Sequence, residues 1–308
     1  MDKWLFIVNP ASASGFGKDL WKESEKVLQV GGLEVEHVIT GHPGHAIEIA
    51  SEAAAKGYRK FIAAGGDGTI HEVMSGLLRY FDASGADPGD FTLGVLPYGT
   101  GNDWIRTAKV PADMLEAARC IVRGNTAKED LVRLTFDNGV FCMANIGGIG
   151  LDADICYHTN NLKKKGHKGS LLYKLVAPYS ILSRKRSPVE VVCDGETIYK
   201  GKLYSAVIAN GIYRGGGIKQ NEDGGRWDDG LLELSIMGGV NRIKAMQLMM
   251  HAFSGDFATL PGIITKRFRK LTVTPLGATS RVESDGELPG TLPLTVELTG
   301  KQINIIVP

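Results

Sequence analysis

The sequence predicts an α/β domain, a parallel sheet flanked by helices, followed by a mostly antiparallel β-sandwich domain. Three observations carry this reading. Strand and helix patterns alternate through the first 130 residues, short alternating segments dominate the rest, and glycine (40 of 308 residues) gathers directly after apolar runs. Alternation of strand and helix builds a parallel sheet covered on both faces, whereas short strands divided by turns build a sandwich. Glycine clusters mark places where the backbone turns sharply or approaches something closely. The expected division is 1–130 and 131–294, with the segment from about 295 to 308 returning to the first domain.

The elements follow in order. Trp4–Asn9 is a buried apolar strand, and Asp19–Val30 repeats its apolar residues at helical spacing. Leu33–Thr40 has the two-residue period of a strand, and the alanine-rich His45–Lys56 is helical. Lys60–Ala64 and Thr92–Pro97 are strands, with helices over Ile70–Tyr80 and Met114–Arg123. Beyond residue 130 the strands are Leu131–Phe136, Val140–Asn145, Val189–Cys193, Thr197–Tyr199, Leu203–Ala209 and Leu231–Met237. Leu271–Pro275, Arg281–Ser284, Leu294–Leu298 and Gln302–Val307 complete the set, and helices over Leu171–Leu182 and Arg242–Phe253 interrupt it.

Composition narrows the function. Charged residues are 22% and the net charge is +1, so neither a disordered chain nor a dedicated nucleic-acid binder is expected. The four cysteines form no C-x-x-C pair and the histidines no H-x-x-x-H, which argues against zinc and for reduced thiols. No signal core opens the chain, and no apolar run approaches the roughly 20 residues needed to span a bilayer. A cytoplasmic protein is expected, meeting any lipid substrate at the inner face of the membrane.

The strongest chemical signal is Gly65-Gly66-Asp67-Gly68-Thr69, which follows the apolar strand Phe61–Ala64 and opens a helix. Ligands of parallel sheets collect at the carboxyl ends of strands, where glycine N–H groups and a helix N-terminus favour an anion. Asp67 cannot grip phosphate itself; as a carboxylate it suits Mg²⁺ or a water network beside phosphate. A tight turn with Asp67 as helix N-cap is the plainer alternative. A second string, Pro97-Tyr98-Gly99-Thr100-Gly101-Asn102-Asp103, ends another apolar strand, so the two loops are expected to share a crevice. Gly17-Lys18 lacks the glycine of a Walker A loop, and Gly148–Ala153 fits G-x-G-x-x-A outside the first βα unit where that fingerprint belongs.

These strings, with Asn9-Pro10 and Ser14-Gly15 before them, resemble the diacylglycerol kinase catalytic family of lipid kinases. Phe141–Ala153, Asn210-Gly211, Gly215–Gly217, Asp229–Leu231 and Asp285–Glu287 fall in family order, so the resemblance covers nearly the whole chain. It implies an ATP- and Mg²⁺-dependent kinase acting on a lipid hydroxyl such as that of diacylglycerol. ATP would be held by Asn9, Thr40, Gly65, Gly66, Asp67, Gly68, Thr69, Ile70, His71, Glu72 and Thr100. Glu287 would be the general base, with Asp67 and Asp103 organising Mg²⁺–ATP. A structural Mg²⁺ would sit on the Asp229 side chain and the carbonyls of Arg226 and Leu231. From spacing alone, Glu287 reads as a surface turn residue; the resemblance is what makes it a base.

Three rivals remain at this point: an NAD kinase-like enzyme with a soluble acceptor, a non-catalytic nucleotide or lipid sensor, and a dehydrogenase resting on Gly148–Ala153. For a lipid acceptor, three basic strings could approach a membrane: Lys163–Lys168, Arg184–Arg186 and Lys266–Lys270. Met246–Phe253 could line an acyl-chain cleft, although methionine at helical spacing is more often core.

Overall fold

The computed structural model describes residues 3–12, 20–99, 101–165, 171–220, 226–252 and 260–308. Thr100, Ser14-Gly15, His167-Lys168 and Phe253 lie outside the described residues. The chain divides into two compact units, Met1–Leu131 with Thr299–Pro308, and Val132–Leu298.

In the first unit β1 (Trp4–Val8), β2 (Val35–Ile39), β3 (Lys60–Gly65) and β4 (Thr92–Pro97) form a parallel sheet. β1 lies between β2 and β3, β4 follows β3, and Asn304 and Ile305 extend the sheet beyond β4 by pairing with Thr92 and Leu93. β1, β3 and β4 read as continuous apolar runs because both their faces are covered, and Phe6, Ile7, Phe61, Ile62 and Leu93 are fully buried. The helices are α1 (Leu20–Val30), α2 (His45–Ala55), α3 (Asp67–Ser84), α4 (Asp103–Ala108) and α5 (Met114–Arg123). α1 packs on α5 and α2 on α3, the latter closely because α2 turns the small side chains Ala46, Ala50, Ala53 and Ala54 inward.

α3 starts three residues before the expected Ile70, so Gly68 and Thr69 belong to its first turn and not to an open loop. α4 was not anticipated. It is six residues long and its N-cap, Asn102, makes no side-chain capping bond, so it shows no local start signal.

The second unit is a mostly antiparallel β-sandwich. It takes up the end of β5 (Thr126–Phe136), then β6 (Gly139–Met143), β7 (Ile146–Gly150), α6 (Leu151–Lys164), α7 (Leu171–Ser183), β8 (Ser187–Cys193) and β9 (Glu196–Ala209). After the short pair β10 (Tyr213–Arg214) and β11 (Ile218–Lys219) come β12 (Leu232–Gly238), α8 (Arg242–Ala252), β13 (Ile263–Phe268) and β14 (Lys270–Pro275). β15 (Arg281–Ser284), β16 (Glu287–Thr291) and the first part of β17 (Leu294–Ile306) complete it. β9 is central, antiparallel to β7, β8 and β12, and β15 joins β7 to β16. Val132, Leu134, Val191, Leu203, Ile208, Leu234, Phe268 and Val296 share the sandwich core, each side chain contributing about 1.5–3 kcal/mol over exposure. A separate core joins α6, α7 and α8 through Leu151, Ile155, Ala177, Ile181, Leu248 and Met249.

Several expected boundaries move for physical reasons. The strand Val140–Asn145 ends at Met143 because the N–H groups of Ala144 and Asn145 turn to the Asp285 carboxylate, 3.0 and 2.8 Å away. Thr197–Tyr199 and Leu203–Ala209 are one strand, as are Leu294–Leu298 and Gln302–Val307. β7 pairs antiparallel with β9 and β15, so Gly148–Ala153 lacks the parallel βαβ setting of a dinucleotide fingerprint. Among the described residues no helix is long and apolar enough to cross a membrane.

Candidate active site

The register of the first sheet brings the carboxyl ends of its strands side by side. Val8 is opposite both Ile39 and Ala64, and Gly65 is opposite Pro97. Backbone bonds continue past the strand ends: Asn9 N–H to the Ala64 carbonyl at 2.9 Å, Thr40 N–H to Val8 at 2.8 Å, and Tyr98 N–H to Gly65 at 2.8 Å. Asn9, Thr40, the GGDGT turn and the start of the PYGTGND string therefore line one edge of the sheet.

Within that edge the two glycine-rich loops touch backbone to backbone. A Cβ on Gly99 would stand 2.6 Å from the Gly66 Cα, a distance real Cβ atoms do not reach, which explains glycine at both positions. Asn9 donates through Nδ2 to Thr69 Oγ1 at 3.0 Å, tying the end of β1 to the first turn of α3.

Asp67 does not cap its own helix. Its carboxylate accepts the N–H groups of Asp103 at 3.2 Å and Trp104 at 2.9 Å, and so caps α4 from across the loop. Asp103 is itself buried, with an oxygen 3.8 Å from the Arg106 guanidinium. The two carboxylates converge over Gly101: a Cβ there would lie 3.1 Å from Asp67 Oδ2 and 3.6 Å from Asp103 Oδ2. Two carboxylates beside glycine-rich turns are hard oxygen donors suited to a divalent cation.

The remaining residues of this edge do other work. Ile70 and His71 are buried, 2% and 3% exposed, so their side chains are turned into the fold. Glu72 accepts the N–H groups of Gly44 at 2.8 Å and Ala46 at 3.2 Å, capping α2. Trp104 donates Nε1 to both oxygens of the fully buried Glu129, at 3.2 Å each.

In the second unit Glu287 is exposed at the start of β16, directly after the Asp285-Gly286 turn. Both turn residues have positive φ, 52° and 85°, the geometry of a two-residue hairpin for which Asp-Gly is suited. Asp285 is the anchor, and spacing alone did not single it out. Its carboxylate accepts the N–H groups of Ala144 at 3.0 Å, Asn145 at 2.8 Å and Ile146 at 3.2 Å, and the Ser284 hydroxyl at 3.0 Å. Glu283 accepts the Gly286 N–H at 2.8 Å, while Asn160 Nδ2 on α6 donates to the Gly286 carbonyl at 3.2 Å. Burial holds the Glu283 carboxyl well above the usual carboxylate range, with Asp285 and Asp152 adding to the effect. Nearby, buried Asp152 is paired with Arg214 and bonded to Ser205. The sequence signal for this assembly was the Asp-Gly pair; its partners, some 140 positions away, left no local trace.

Around the expected metal residues, the side chains make protein contacts. Arg226 pairs with Asp228 at 3.2 Å. Asp229 accepts the Leu231 N–H at 3.1 Å through one oxygen and holds the Arg267 guanidinium through the other, while Arg269 Nε donates to the Gly230 carbonyl at 3.3 Å. The oxygen donors are of the right class for a hard cation, but the charge of Asp229 is already matched by Arg267.

Comparison with known proteins gives a consistent likeness. Residues 3–134 match the Diacylglycerol kinase catalytic domain, and residues 146–307 match the YegS C-terminal NAD kinase beta sandwich-like domain. The chain is 29% identical to "Diacylglycerol kinase" of Bacillus subtilis (strain 168), over 100% of this chain and 97% of that protein. It is 30% identical to "Probable lipid kinase YegS-like" of Xanthomonas campestris pv. campestris (strain 8004), over 85% of this chain and 82% of the other. In fold it resembles a solved diacylglycerol kinase-like protein of Bacillus anthracis str. Sterne, with a TM-score of 0.78, 24% identity and 100% and 98% coverage.

Proposed function

The chain belongs to the diacylglycerol kinase catalytic-domain family of lipid kinases, and from that premise we propose that it transfers the γ-phosphate of ATP to a lipid hydroxyl, diacylglycerol first among the candidates. The observation that carries the reading is the convergence of Asp67 and Asp103 over Gly101, beside glycine-rich turns at the carboxyl edge of a parallel sheet.

Phosphoryl transfer needs a phosphate cradle, a divalent cation and a base for the acceptor hydroxyl. Residues 65–69 form the cradle, with the Thr69 hydroxyl oriented by Asn9. Asp67 and Asp103 would hold Mg²⁺ bound with the nucleotide, which spreads charge over the phosphate oxygens. Asp67 has a second task, since it also fixes the start of α4 that carries Asp103. The acceptor hydroxyl gives its proton to Glu287 as its oxygen bonds the γ-phosphorus, and the bond from that phosphorus to the bridging oxygen breaks to leave ADP. A carboxylate of ordinary basicity suffices, because little charge develops on the attacking oxygen.

The test is transfer of radiolabelled γ-phosphate from Mg²⁺–ATP to a lipid panel in mixed micelles, with NAD⁺ as a parallel acceptor and Asp67→Asn as control. A labelled lipid that disappears with the variant supports the proposal and names the acceptor. Label on NAD⁺ alone moves the protein to a soluble acceptor. No label with ATP binding intact overturns the catalytic reading.

A further inference from the structure

Two helices of the second unit carry apolar side chains that the unit leaves open. On α7 Leu175, Tyr179 and Leu182 are 66%, 59% and 58% exposed, and on α8 Ile243 and Met250 are 73% and 67% exposed. Spacings of four and three on α7, and of seven on α8, align each set in one stripe along its helix. The opposite faces are fully used, since Val176, Ala177, Ile181, Ala245, Leu248 and Met249 all enter the shared helical core. These five residues are half of the ten large apolar side chains exposed among the described residues, so the concentration on two short helices is not ordinary surface scatter.

A cationic groove of about 520 Å³ adjoins the stripes, lined by Arg184, Lys185, Arg186, Lys202, Arg242 and Ile243. Arg184 is committed to Asp154, and Arg186 reaches the Val240 carbonyl. Lys185, Lys202 and Arg242 have no ion-pair partner among the described residues. α8 also has no acidic residue in its first turn and carries Arg242 and Lys244 there, against the preference of the helix dipole. That placement costs helix stability and strengthens the local positive field. By contrast, the basic string 266–270 is largely neutralised: Lys266 pairs with Glu196, Arg267 with Asp229, and Lys270 with Glu297.

We propose that this face, the stripes of α7 and α8 with the groove between Lys185 and Arg242, docks the protein on an anionic phospholipid bilayer. The cations meet headgroup phosphates while Leu175, Tyr179, Leu182, Ile243 and Met250 enter the acyl boundary. Nucleic acid would satisfy the cations but has no use for the apolar stripes. A symmetric pair of copies would bury the stripes but press one cationic groove against another. The inference rests on the lipid-kinase reading for its purpose: α7 packs on α6, and α6 packs on β16, which carries Glu287. The docking face is thus one helix removed from the turn that presents the proposed base.

The experiment is co-sedimentation of the full chain with vesicles of phosphatidylglycerol and phosphatidylcholine, against vesicles of phosphatidylcholine alone. Binding to the anionic vesicles, weakened at 0.5 M salt, is expected. Lys185→Gln with Arg242→Gln should lower partitioning about fivefold for each charge removed, and Leu182→Ser with Ile243→Ser at least tenfold. In Leu182→Trp the fluorescence should shift to the blue on anionic vesicles alone. Phosphotransfer to a short-chain diacylglycerol dispersed without vesicles should be unchanged in all of these variants. Vesicle binding without transfer to any lipid upholds the docking face and removes the kinase reading. Wild-type vesicle binding by both double variants overturns the docking face, as does a dimer in sedimentation equilibrium that Ile243→Ser abolishes while vesicles bind nothing.

Discussion

Replacing Asp285 by asparagine removes one oxygen from an anchor that serves four donors. Oδ1 accepts from Asn145 and Ile146, and Oδ2 accepts from Ala144 and the Ser284 hydroxyl. With the asparagine oxygen kept at the Oδ1 position, its NH₂ faces the Ala144 N–H, donor against donor, while Ser284 can reverse and accept. One buried N–H is then orphaned, and the two remaining bonds lose their charge assistance. An unsatisfied buried group costs about 1–3 kcal/mol and loss of charge assistance about 1 kcal/mol more, so the variant should lose about 2–4 kcal/mol. For a unit of this size that is a fall of about 5–15 °C in Tm. Asp285→Ala orphans all three N–H groups and should fall further. The assay is thermal unfolding followed by circular dichroism, with phosphotransfer measured well below the transition. A Tm within 1 °C of the parent in Asp285→Asn would refute the anchor and with it the account of why β6 ends at Met143.

Three further outcomes are expected. The Glu283 carboxyl holds its proton more tightly in the folded chain than in the unfolded chain, which ionises near 4.5, so its burial costs stability as pH rises above 4.5. Glu283→Gln, whose oxygen can still accept the Gly286 N–H, should therefore raise Tm by an amount that is small at pH 5 and larger at pH 7.5; a difference independent of pH would contradict this. Asp67→Asn should lower kcat at least about a hundredfold and also lower Tm, because one of two N–H groups at the start of α4 loses its acceptor; unchanged Tm would remove the capping role. Glu287→Gln, at an exposed position, should lower kcat by about a hundredfold with stability changed by no more than about 0.5 kcal/mol; near-parental turnover would remove it as base.

Much of this fold was legible because burial and sequence pattern coincide. β3 and β4 are apolar runs that lead into glycine-rich turns, and their neighbouring ends were expected from the parallel sheet alone. Legibility failed wherever a polar group faces inward. α6 escaped notice because Asp152 turns to buried Arg214 and Ser205, which breaks the apolar period. β5 begins at Thr126, well before the expected Leu131, with Glu129 buried and satisfied by Trp104. β13 is missing from the expectation because its middle residues, Ile264 to Arg267, are all exposed and break the alternation of a half-buried strand. At the candidate site the glycine turns and carboxylates could be named, but their attachments could not. Asp67 to α4 and Asp285 to Ala144–Ile146 are contacts between distant positions that no local spacing encodes.

The first unit is discontinuous in sequence, closed by residues that follow the whole second unit. During synthesis this sets an order of events. Residues 3–131 leave the ribosome first, yet the outer edge of β4 waits for Asn304 and Ile305. Over that interval an apolar strand offers unpaired N–H and C=O groups, a template for pairing with other chains. A fragment that stops at Leu131 keeps that edge open permanently. The nascent chain is therefore most exposed to misassembly, and to chaperone capture, while the sandwich is being made.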